Sequence, residues 1–331
     1  MRLLGISFGR NDGNCDAALR LVLKGAMENG RHEITMVNTC NMNIDRCTGC
    51  WACDRVREKG GMSVCLRNDD FAALEDLVME ADGVILAAPV YVLGPTGQYK
   101  NFVDRIGPSH DRSQLLLEND RRRSLGWSED RMIPAKYFKQ RPLAVISVGG
   151  ARTKGWTSMG VSAMMCAGFP TQMIPVDAMN LNAMGDIIHP CLDESLSERL
   201  KQMGRHIAEA AELKPEAIEW KGDEEGICPI CHCDQITFRS GTTVECTVCG
   251  SIGTAAIEND TLKIKYPAEQ LLRSRYRSGG NMEHILEIKD MEGKAKKLFA
   301  ATDIAERISA GKKELEDIPV TVIKNGEIVK G

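Results

Sequence analysis

Nine of the chain's thirteen cysteines fall into two clusters whose short spacings suit metal ligation. The first lies in CTGCWACDRVREKGGMSVC, residues 47–65, and the second in residues 228–249. The chain begins without the basic segment, long apolar run and cleavage site of a secretory signal, so we expect a cytoplasmic protein. Disulfides are rare in that reducing compartment, so ligation is the better explanation of both clusters. The scattered cysteines are Cys15, Cys40, Cys166 and Cys191.

The spacing of the first cluster lets one turn of chain deliver three thiolates, as an iron-sulfur cluster requires. Zinc more often uses two paired knuckles, and a redox dithiol needs only two cysteines. Simple packing, with the thiols lining a loop, is the remaining alternative. The candidate ligands are Cys47, Cys50, Cys53 and Cys65.

The second cluster contains two C-x-x-C knuckles, in CPICHC and CTVCG, separated by short β-like runs. Two such knuckles surround one tetrahedral ion and stabilise a small domain. The spacing resembles zinc ribbons and rubredoxins, and we favour Zn²⁺ over Fe because His232 stands where rubredoxins have glycine. The predicted ligands are Cys228, Cys231, Cys246 and Cys249.

Apolar runs alternate with amphipathic helical patterns over the first 215 residues, which predicts βαβ units and an α/β fold. Right-handed crossovers then give a doubly wound five-stranded parallel sheet, with its ligand at the carboxyl ends of the strands. The predicted strands are 2–7, 33–37, 83–88, 143–148 and 171–176. The predicted helices are 15–29, 70–80, 97–106, 158–167 and 195–213.

The loop after the first predicted strand, SFGRNDGNCD, is rich in small polar residues and leads directly into a helix. Free amides and the positive end of a helix dipole together make a phosphate site. The loop lacks the glycine spacing of a dinucleotide fold and the Gly-Lys-Ser/Thr of a triphosphate loop. The predicted phosphate contacts are Ser7, Arg10, Asn14 and Cys15.

The third and fourth predicted strands also end in loops that mix glycine with apolar and polar residues. Such loops, close together at one sheet edge, can hold a planar aromatic cofactor between them. The predicted contacts with this ring are Pro89, Val90, Tyr91, Val92, Gly149 and Gly150.

Residues 107–140 read as a long polar connection, which suggests a lid, a subunit contact or a flexible excursion. We interpret Arg121, Arg122 and Arg123 within it as a solvated face rather than as cofactor-phosphate contacts.

Composition changes after Trp220, and we predict four segments. Residues 1–215 form the cofactor-binding domain, 216–225 a linker, 226–266 the small β-rich metal-knuckle domain, and 267–331 an extension of unknown role. Within the extension, 281–310 read as helical, and a final hairpin is expected to turn at Asn325–Gly326.

The net charge of −4 gives no reason to expect nucleic-acid binding through bulk positive charge. The most apolar stretch, GVILAAPVYVLG, is too short to span a membrane. Small molecules or proteins are the expected partners.

The segments GISFGRNDGN, ADGVILAAPVYVLGPTGQYKNFVDR and VISVGG, with the cysteine stretch between the first two, resemble the flavodoxin-like NADPH-dependent FMN reductase family and its iron-sulfur flavoprotein branch. The resemblance covers about residues 1–213. It implies FMN, with its phosphate in the 7–15 loop and its ring against the loops that begin at Pro89 and Gly149. Cys15 replaces the family's usual hydroxyl residue, and SFGR replaces Gly-Ser-Pro-Arg.

Spacing and resemblance together favour a [4Fe-4S] cluster in the first cysteine group, although the gap between Cys53 and Cys65 is extended. The expected protein is a redox enzyme or electron carrier that uses NAD(P)H or ferredoxin and a quinone-like acceptor. The resemblance also implies a homodimer or homotetramer. No side chain is expected to act as a catalytic acid or nucleophile. The alternatives are a cluster-free NAD(P)H-dependent FMN or quinone reductase and a non-enzymatic module that docks through the zinc ribbon.

Overall fold

The computed structural model describes residues 1–223, 228–316, 318, 321–324 and 327–330. Its central element is a sheet in which five parallel strands pair in the order β2-β1-β3-β5-β6, while a two-residue β4 pairs antiparallel with the end of β3. The strands are β1 (Arg2–Ser7), β2 (Glu33–Asn38), β3 (Gly83–Tyr91), β4 (Gly94–Pro95), β5 (Pro142–Val148) and β6 (Ile174–Leu181). The predicted doubly wound α/β fold is confirmed.

Helices cover both faces of this sheet. Alternate residues of β3 point to opposite sides, since Leu86 packs in one apolar cluster and Ile85 in the other. The first cluster includes residues of α3 and α4, and the second includes residues of α1 and α9. The helices of this part are α1 (Asn14–Glu28), α2 (Ala52–Glu58), α3 (Phe71–Glu80), α4 (Gly97–His110), α5 (Arg112–Ser124), α6 (Gly160–Met165), α7 (Gly168–Thr171), α8 (Met184–Ile187) and α9 (Glu194–Ala211).

The helices α1 and α9 approach each other unusually closely at two glycines. A Cβ on Gly204 would lie 1.9 Å from the carbonyl oxygen of Val22, and a Cβ on Gly25 would lie 2.0 Å from that of Lys201. Only residues without a side chain allow this backbone contact, so the two glycines set the separation of the helices.

The last parallel strand differs from its predicted position, 171–176, and runs over Ile174–Leu181. Thr171 instead ends the short helix α7, and Gln172 follows with a φ of 53°. This left-handed residue separates helix from strand, and neither apolar pattern nor propensity revealed it. The correction matters because it moves the end of the strand to Leu181.

The predicted long connection over 107–140 was also wrong. The helix α4 continues to His110, Asp111 caps the next helix by accepting a hydrogen bond from the Gln114 amide, and α5 follows directly. The buried face of α5 is largely polar, so an apolar period did not reveal it. Arg122 is 1% exposed and lies on that face, which corrects its interpretation as solvated, whereas Arg123 is exposed.

A second, antiparallel sheet has the order β10-β9-β8-β7 and contains the knuckle segment. Its strands are β7 (Ile236–Ser240), β8 (Thr243–Cys246), β9 (Ile252–Glu258) and β10 (Thr261–Lys265). The helices α10 (Ala268–Leu272), α11 (Ser278–Phe299) and α12 (Thr302–Glu314) follow, and then the paired strands β11 (Thr321–Lys324) and β12 (Glu327–Lys330). The turn predicted at 325–326 lies outside the described residues.

Two compact units are distinguished by their internal contacts, Met1–Met282 and Glu283–Gly331. Both sheets described first therefore belong to one unit. The division at residues 216–225 and after residue 266 stays a prediction about domain organisation.

Gly204→Ala should destabilise the protein by about 1–3 kcal/mol, because the added methyl group must push α1 and α9 apart. Thermal unfolding followed by circular dichroism measures the effect. Gly293→Ala is the matched control, since nothing lies within 4 Å of its Cβ position in α11 and alanine favours a helix. A Gly204→Ala protein as stable as the wild type would contradict the close contact.

Candidate functional site

A cavity of about 300 Å³ opens at the carboxyl ends of β1, β3 and β5. Parallel strands bring these ends to one edge of the sheet, which is where the sequence predicted a cofactor. Eight of the ten predicted contacts line the cavity: Arg10, Asn14, Cys15, Pro89, Val90, Tyr91, Gly149 and Gly150.

The other two predicted residues lie elsewhere. Ser7 is fully buried beneath the loop, where its hydroxyl donates a hydrogen bond to Asp16 at 2.5 Å. Val92 is 98% exposed and has a φ of 50°, so it forms the outer tip of the turn after β3. Ser7 therefore supports the loop rather than facing the cavity.

Met184 and Gly185 also line the cavity, and sequence reasoning missed them. They lie at the start of α8, which follows β6 closely, and the end of β6 was predicted too early in the sequence. A strand predicted to end at Leu181 would have placed these residues at the same carboxyl edge of the sheet.

Asp16 organises the loop between β1 and α1. Its carboxylate accepts hydrogen bonds from the Ser7 hydroxyl, from the Asp12 amide at 3.0 Å and from the Asn38 side chain at 2.6 Å. The first amides of α1 have no partner within the helix, and the exposed Arg10 adds a positive charge beside them. These groups fit a phosphate.

Cys15 is a neutral thiol in this loop. Burial, with a contribution from the charge of Asp16, raises the pKa of Cys15 to about 12. A neutral thiol places no negative charge next to an incoming phosphate, which suits the site despite the missing hydroxyl.

The end of the flavin cavity away from α1 is apolar, and Gly149 packs closely against its neighbours there. The Gly149 amide donates to the Leu181 carbonyl at 2.8 Å, and a Cβ on Gly149 would lie 2.3 Å from the Thr157 methyl carbon. Pro89, Val90 and Met184 supply apolar surface around this point. The arrangement fits the flat isoalloxazine ring of FMN, with the phosphate end at α1.

The four cysteines of residues 47–65 surround a second cavity, of about 340 Å³. Cys47, Cys50, Cys53 and Cys65 all line it, together with Arg67 and Arg105. The structure thus brings the four predicted ligands to one place.

Two of these sulfurs accept hydrogen bonds, and the pKa of one of them, Cys50, is lowered as a result. The Gly49 amide donates to Cys47 Sγ at 3.5 Å, and hydrogen bonds from the Ala52 amide and the Thr48 side chain lower the pKa of Cys50. Burial and the neighbouring Asp54 raise the pKa of Cys53 to about 11. A bound cation would stabilise that thiolate, so the donor set fits an iron-sulfur cluster.

The extended gap between Cys53 and Cys65 is folded. It contains most of α2, and the buried Arg122 guanidinium donates to the Arg57 carbonyl at 3.2 Å and to the Gly61 carbonyl at 2.8 Å. Arg122 is in turn paired with Glu118. These contacts hold the insertion against α5, and they were not predicted because the arginine was expected at the surface.

The knuckle cysteines form a tighter group. Among the described residues, Cys228, Cys231, Cys246 and Cys249 are the set of metal-binding side chains whose ligand atoms all lie within 4.8 Å of one another. The separation of Cys228 Sγ and Cys249 Sγ is 3.3 Å, near the roughly 3.8 Å expected for thiolates around one ion with bonds of about 2.3 Å. The predicted convergence is confirmed, and it suits one ion rather than a multi-iron core.

The backbone of the knuckles explains the sequence pattern. His232 and Gly250 each follow the second cysteine of a knuckle and have φ angles of 55° and 76°. The His232 ring stacks on Trp220 with centroids 4.2 Å apart. The left-handed residue reverses the chain direction after each knuckle, and the two sulfurs of each knuckle point toward the centre of the four-cysteine group.

A model of the NADPH-dependent FMN reductase family matches residues 1–182, more than half of the chain. The chain belongs to this family. The predicted resemblance is therefore confirmed, and the protein is a flavin-dependent oxidoreductase with FMN as the family's cofactor. The non-enzymatic alternative is wrong.

Relatives of two kinds are found. An iron-sulfur flavoprotein of Archaeoglobus fulgidus is 39% identical over 116 residues, which are 35% of this chain and 50% of that protein. A flavone synthase of Aspergillus candidus is 28% identical over 274 residues, which are 78% of this chain and 80% of that protein. The solved structure of a flavone reductase superposes with a TM-score of 0.81 at 26% identity and covers 98% of this chain and 100% of its own.

Among the helices that the structure describes, none has the length and apolar composition needed to cross a membrane.

Arg10→Ala should weaken FMN binding about tenfold, because the phosphate loses a charge-assisted contact. Quenching of flavin fluorescence on titration of the flavin-free protein gives the dissociation constant. Arg20→Ala, an exposed residue farther along α1, is the control and should leave the constant unchanged. Equal affinities for the Arg10 variant and the wild type would remove Arg10 from the site.

Cys249→Ser should abolish about one equivalent of bound metal per chain and lower the melting temperature, because three thiolates hold the ion less well than four. Elemental analysis of the purified protein measures the metal. The control is Cys191→Ser, a scattered and exposed cysteine, which should retain full metal content. Full metal content in the Cys249 variant would exclude it as a ligand.

Proposed function

We propose that the protein is an iron-sulfur flavoprotein in which FMN and a [4Fe-4S] cluster exchange electrons within one chain. The arrangement of Cys47, Cys50, Cys53 and Cys65 around one cavity that also contains two arginines carries this proposal. When bound, FMN exchanges electrons in pairs with a nicotinamide, and the cluster exchanges them singly.

The side chains of the chain have binding and positioning roles in this proposal. The 9–15 loop and Arg10 hold the phosphate of FMN, while Pro89, Val90 and Gly149 hold its ring. The four thiolates hold the cluster, and Arg122 keeps the insertion between Cys53 and Cys65 in place. No protein group is required to move a proton.

The proposed electron donors are NAD(P)H and ferredoxin, and a quinone-like molecule is the proposed acceptor. A homodimer or homotetramer is proposed as the assembly. Exposed apolar side chains near the flavin cavity support it: Tyr91 is 64% exposed and Trp156 is 69% exposed. Met159 donates its amide to the Leu93 carbonyl at 3.2 Å, which joins the two loops that carry this surface.

Zn²⁺ is the proposed ion of the knuckles, with Fe as the alternative. The four sulfurs are fully buried, and they pack in the same apolar cluster as residues of the parallel sheet. Tyr276 adds a hydrogen bond from its hydroxyl to the Met165 carbonyl. A redox-inert ion in such a position would hold residues 228–276 against the flavin-binding part.

A second candidate function is a cluster-free NAD(P)H-dependent reductase whose acceptor is a flavone-like molecule. The similarity to the flavone reductase structure extends over nearly the whole chain, whereas the match to the iron-sulfur flavoprotein covers about a third of it. A hydride equivalent from NAD(P)H and a proton from water would saturate the conjugated carbon–carbon double bond of the acceptor.

Cys50→Ala separates these candidates. In oxygen-free preparations the wild type should contain about four irons and four acid-labile sulfides per chain beyond the knuckle ion, with broad absorption near 400 nm beneath the flavin bands. The variant should lose iron and sulfide but keep FMN, because the two cavities have different walls.

Cys40→Ala is the matched control, since Cys40 is exposed and lies outside the motif. Wild-type protein without sulfide that oxidises NAD(P)H in the presence of a flavone would favour the second candidate.

A further inference from the structure

Arg105 lies in the wall of the four-cysteine cavity, and its side chain is completely buried. It comes from α4, and its Nη1 donates to the Asp69 carboxylate and to the Asp45 carbonyl at 3.3 Å. The other two donor nitrogens, Nε and Nη2, are buried and have no hydrogen-bond partner among the described residues. An unpaired donor on a buried cation is strongly unfavourable, so the cavity is built for an acceptor.

The guanidinium is held in one orientation. Its central carbon lies 4.1 Å from the centroid of the Phe71 ring. Asp69 is itself buried and accepts a second hydrogen bond, from the Asp45 amide at 2.9 Å. Because the side chain is fixed from two sides, its free nitrogens cannot turn to another partner.

Cys65 lines the same cavity and is the cysteine that lies near this guanidinium. Arginine keeps its proton in proteins, and the ion pair with the buried Asp69 carboxylate holds that charge inside the protein. The cavity's other arginine, Arg67, also has one buried donor without a partner, its Nε, but it pairs with Asp45 and its side chain is 36% exposed. Solvent therefore screens the charge of Arg67 more than that of the fully buried Arg105.

We propose that Arg105 is a positioning residue for the cluster, which acts through Cys65 by donating to its metal-bound thiolate and thereby raises the reduction potential of the cluster. This inference rests on the proposed [4Fe-4S] site. The reduced cluster carries one more negative charge than the oxidised cluster, so a buried cation and a hydrogen bond to a ligand sulfur stabilise it more. The identity of Arg105 thus sets how readily the cluster accepts an electron from the flavin.

The test is a redox titration of the full-length protein, reconstituted without oxygen and followed by electron paramagnetic resonance. In Arg105→Gln, the ratio of reduced to oxidised cluster at the wild-type midpoint should fall about tenfold, a shift of ~59 mV to lower potential for a one-electron couple. Arg105→Lys keeps the charge and should shift less. Arg141→Gln is the control, because Arg141 is equally buried but donates to carbonyls outside the cavity.

Removal of Arg105 leaves Asp69 buried without its partner, which could prevent folding. The double variant Asp69→Asn/Arg105→Gln removes both charges and should show the same fall in potential. An unchanged midpoint in the Arg105→Gln or double variant that retains four irons overturns the role of Arg105 while the iron-sulfur site stands. Wild-type protein that binds no cluster overturns the proposed function itself.

Discussion

The parallel pairing of β1 with β2 and β3 is the constraint on which both the flavin cavity and the four-cysteine cavity depend. It brings the carboxyl ends of these strands to one edge, and each loop that leaves this edge carries a different function. The loop after β1 begins α1 and offers amides and a positive charge. The segment after β2 starts at Thr39, whose amide is tied to the Ser7 carbonyl at 2.9 Å, and continues to the four cysteines. The flavin cavity and the four-cysteine cavity are therefore formed by successive parts of the chain, because their strands are neighbours in the sheet.

Buried arginines donate hydrogen bonds to backbone carbonyl groups of the cysteine segment, which lacks the regular backbone pairing of the sheet. Residues 39–70 contain little secondary structure, so their carbonyl groups need other donors. Arg122 supplies two bonds to the insertion, and Arg105 supplies one to the Asp45 carbonyl. Gln98 and Asn101 of α4 donate to further carbonyls of the same segment. These hydrogen bonds fix the path of the segment whose four cysteines line one cavity.

The knuckle cysteines, Cys228, Cys231, Cys246 and Cys249, contribute to the stability of the small antiparallel sheet. The outer strands β7 and β10 are largely exposed, so this small sheet buries little apolar surface of its own. An ion held by four buried thiolates supplies the missing stability. The same cysteines pack against the apolar cluster of the parallel sheet, so metal binding also supports the attachment of the segment to the flavin-binding unit.

Residue spacing and composition alone predicted the parallel sheet and both cysteine groups, and eight of the ten residues expected around FMN line the cavity at the sheet edge. These depend on local signals: strands with short apolar runs, glycine-rich loops, and two-residue cysteine spacings, each of which acts over a few residues. Local signals also fail in recognisable ways. The left-handed Gln172 makes the last strand begin later than predicted, so α8 with Met184 was not expected at the cavity. The buried face of α5 is polar, and the segment was therefore predicted to be a solvated connection.

The sequence did not show which charged side chains are buried or which groups they contact; the folded structure does. Arg105, Arg122 and Arg141 look alike in sequence to exposed arginines, yet all three are at most 2% exposed. Their partners are carboxylates and carbonyl groups between 2 and 65 residues away in the chain, and the distant ones become neighbours only through packing. A long-range partner leaves no periodic trace in the sequence, so the electrostatic environment of the cysteines could be known only once the chain was folded.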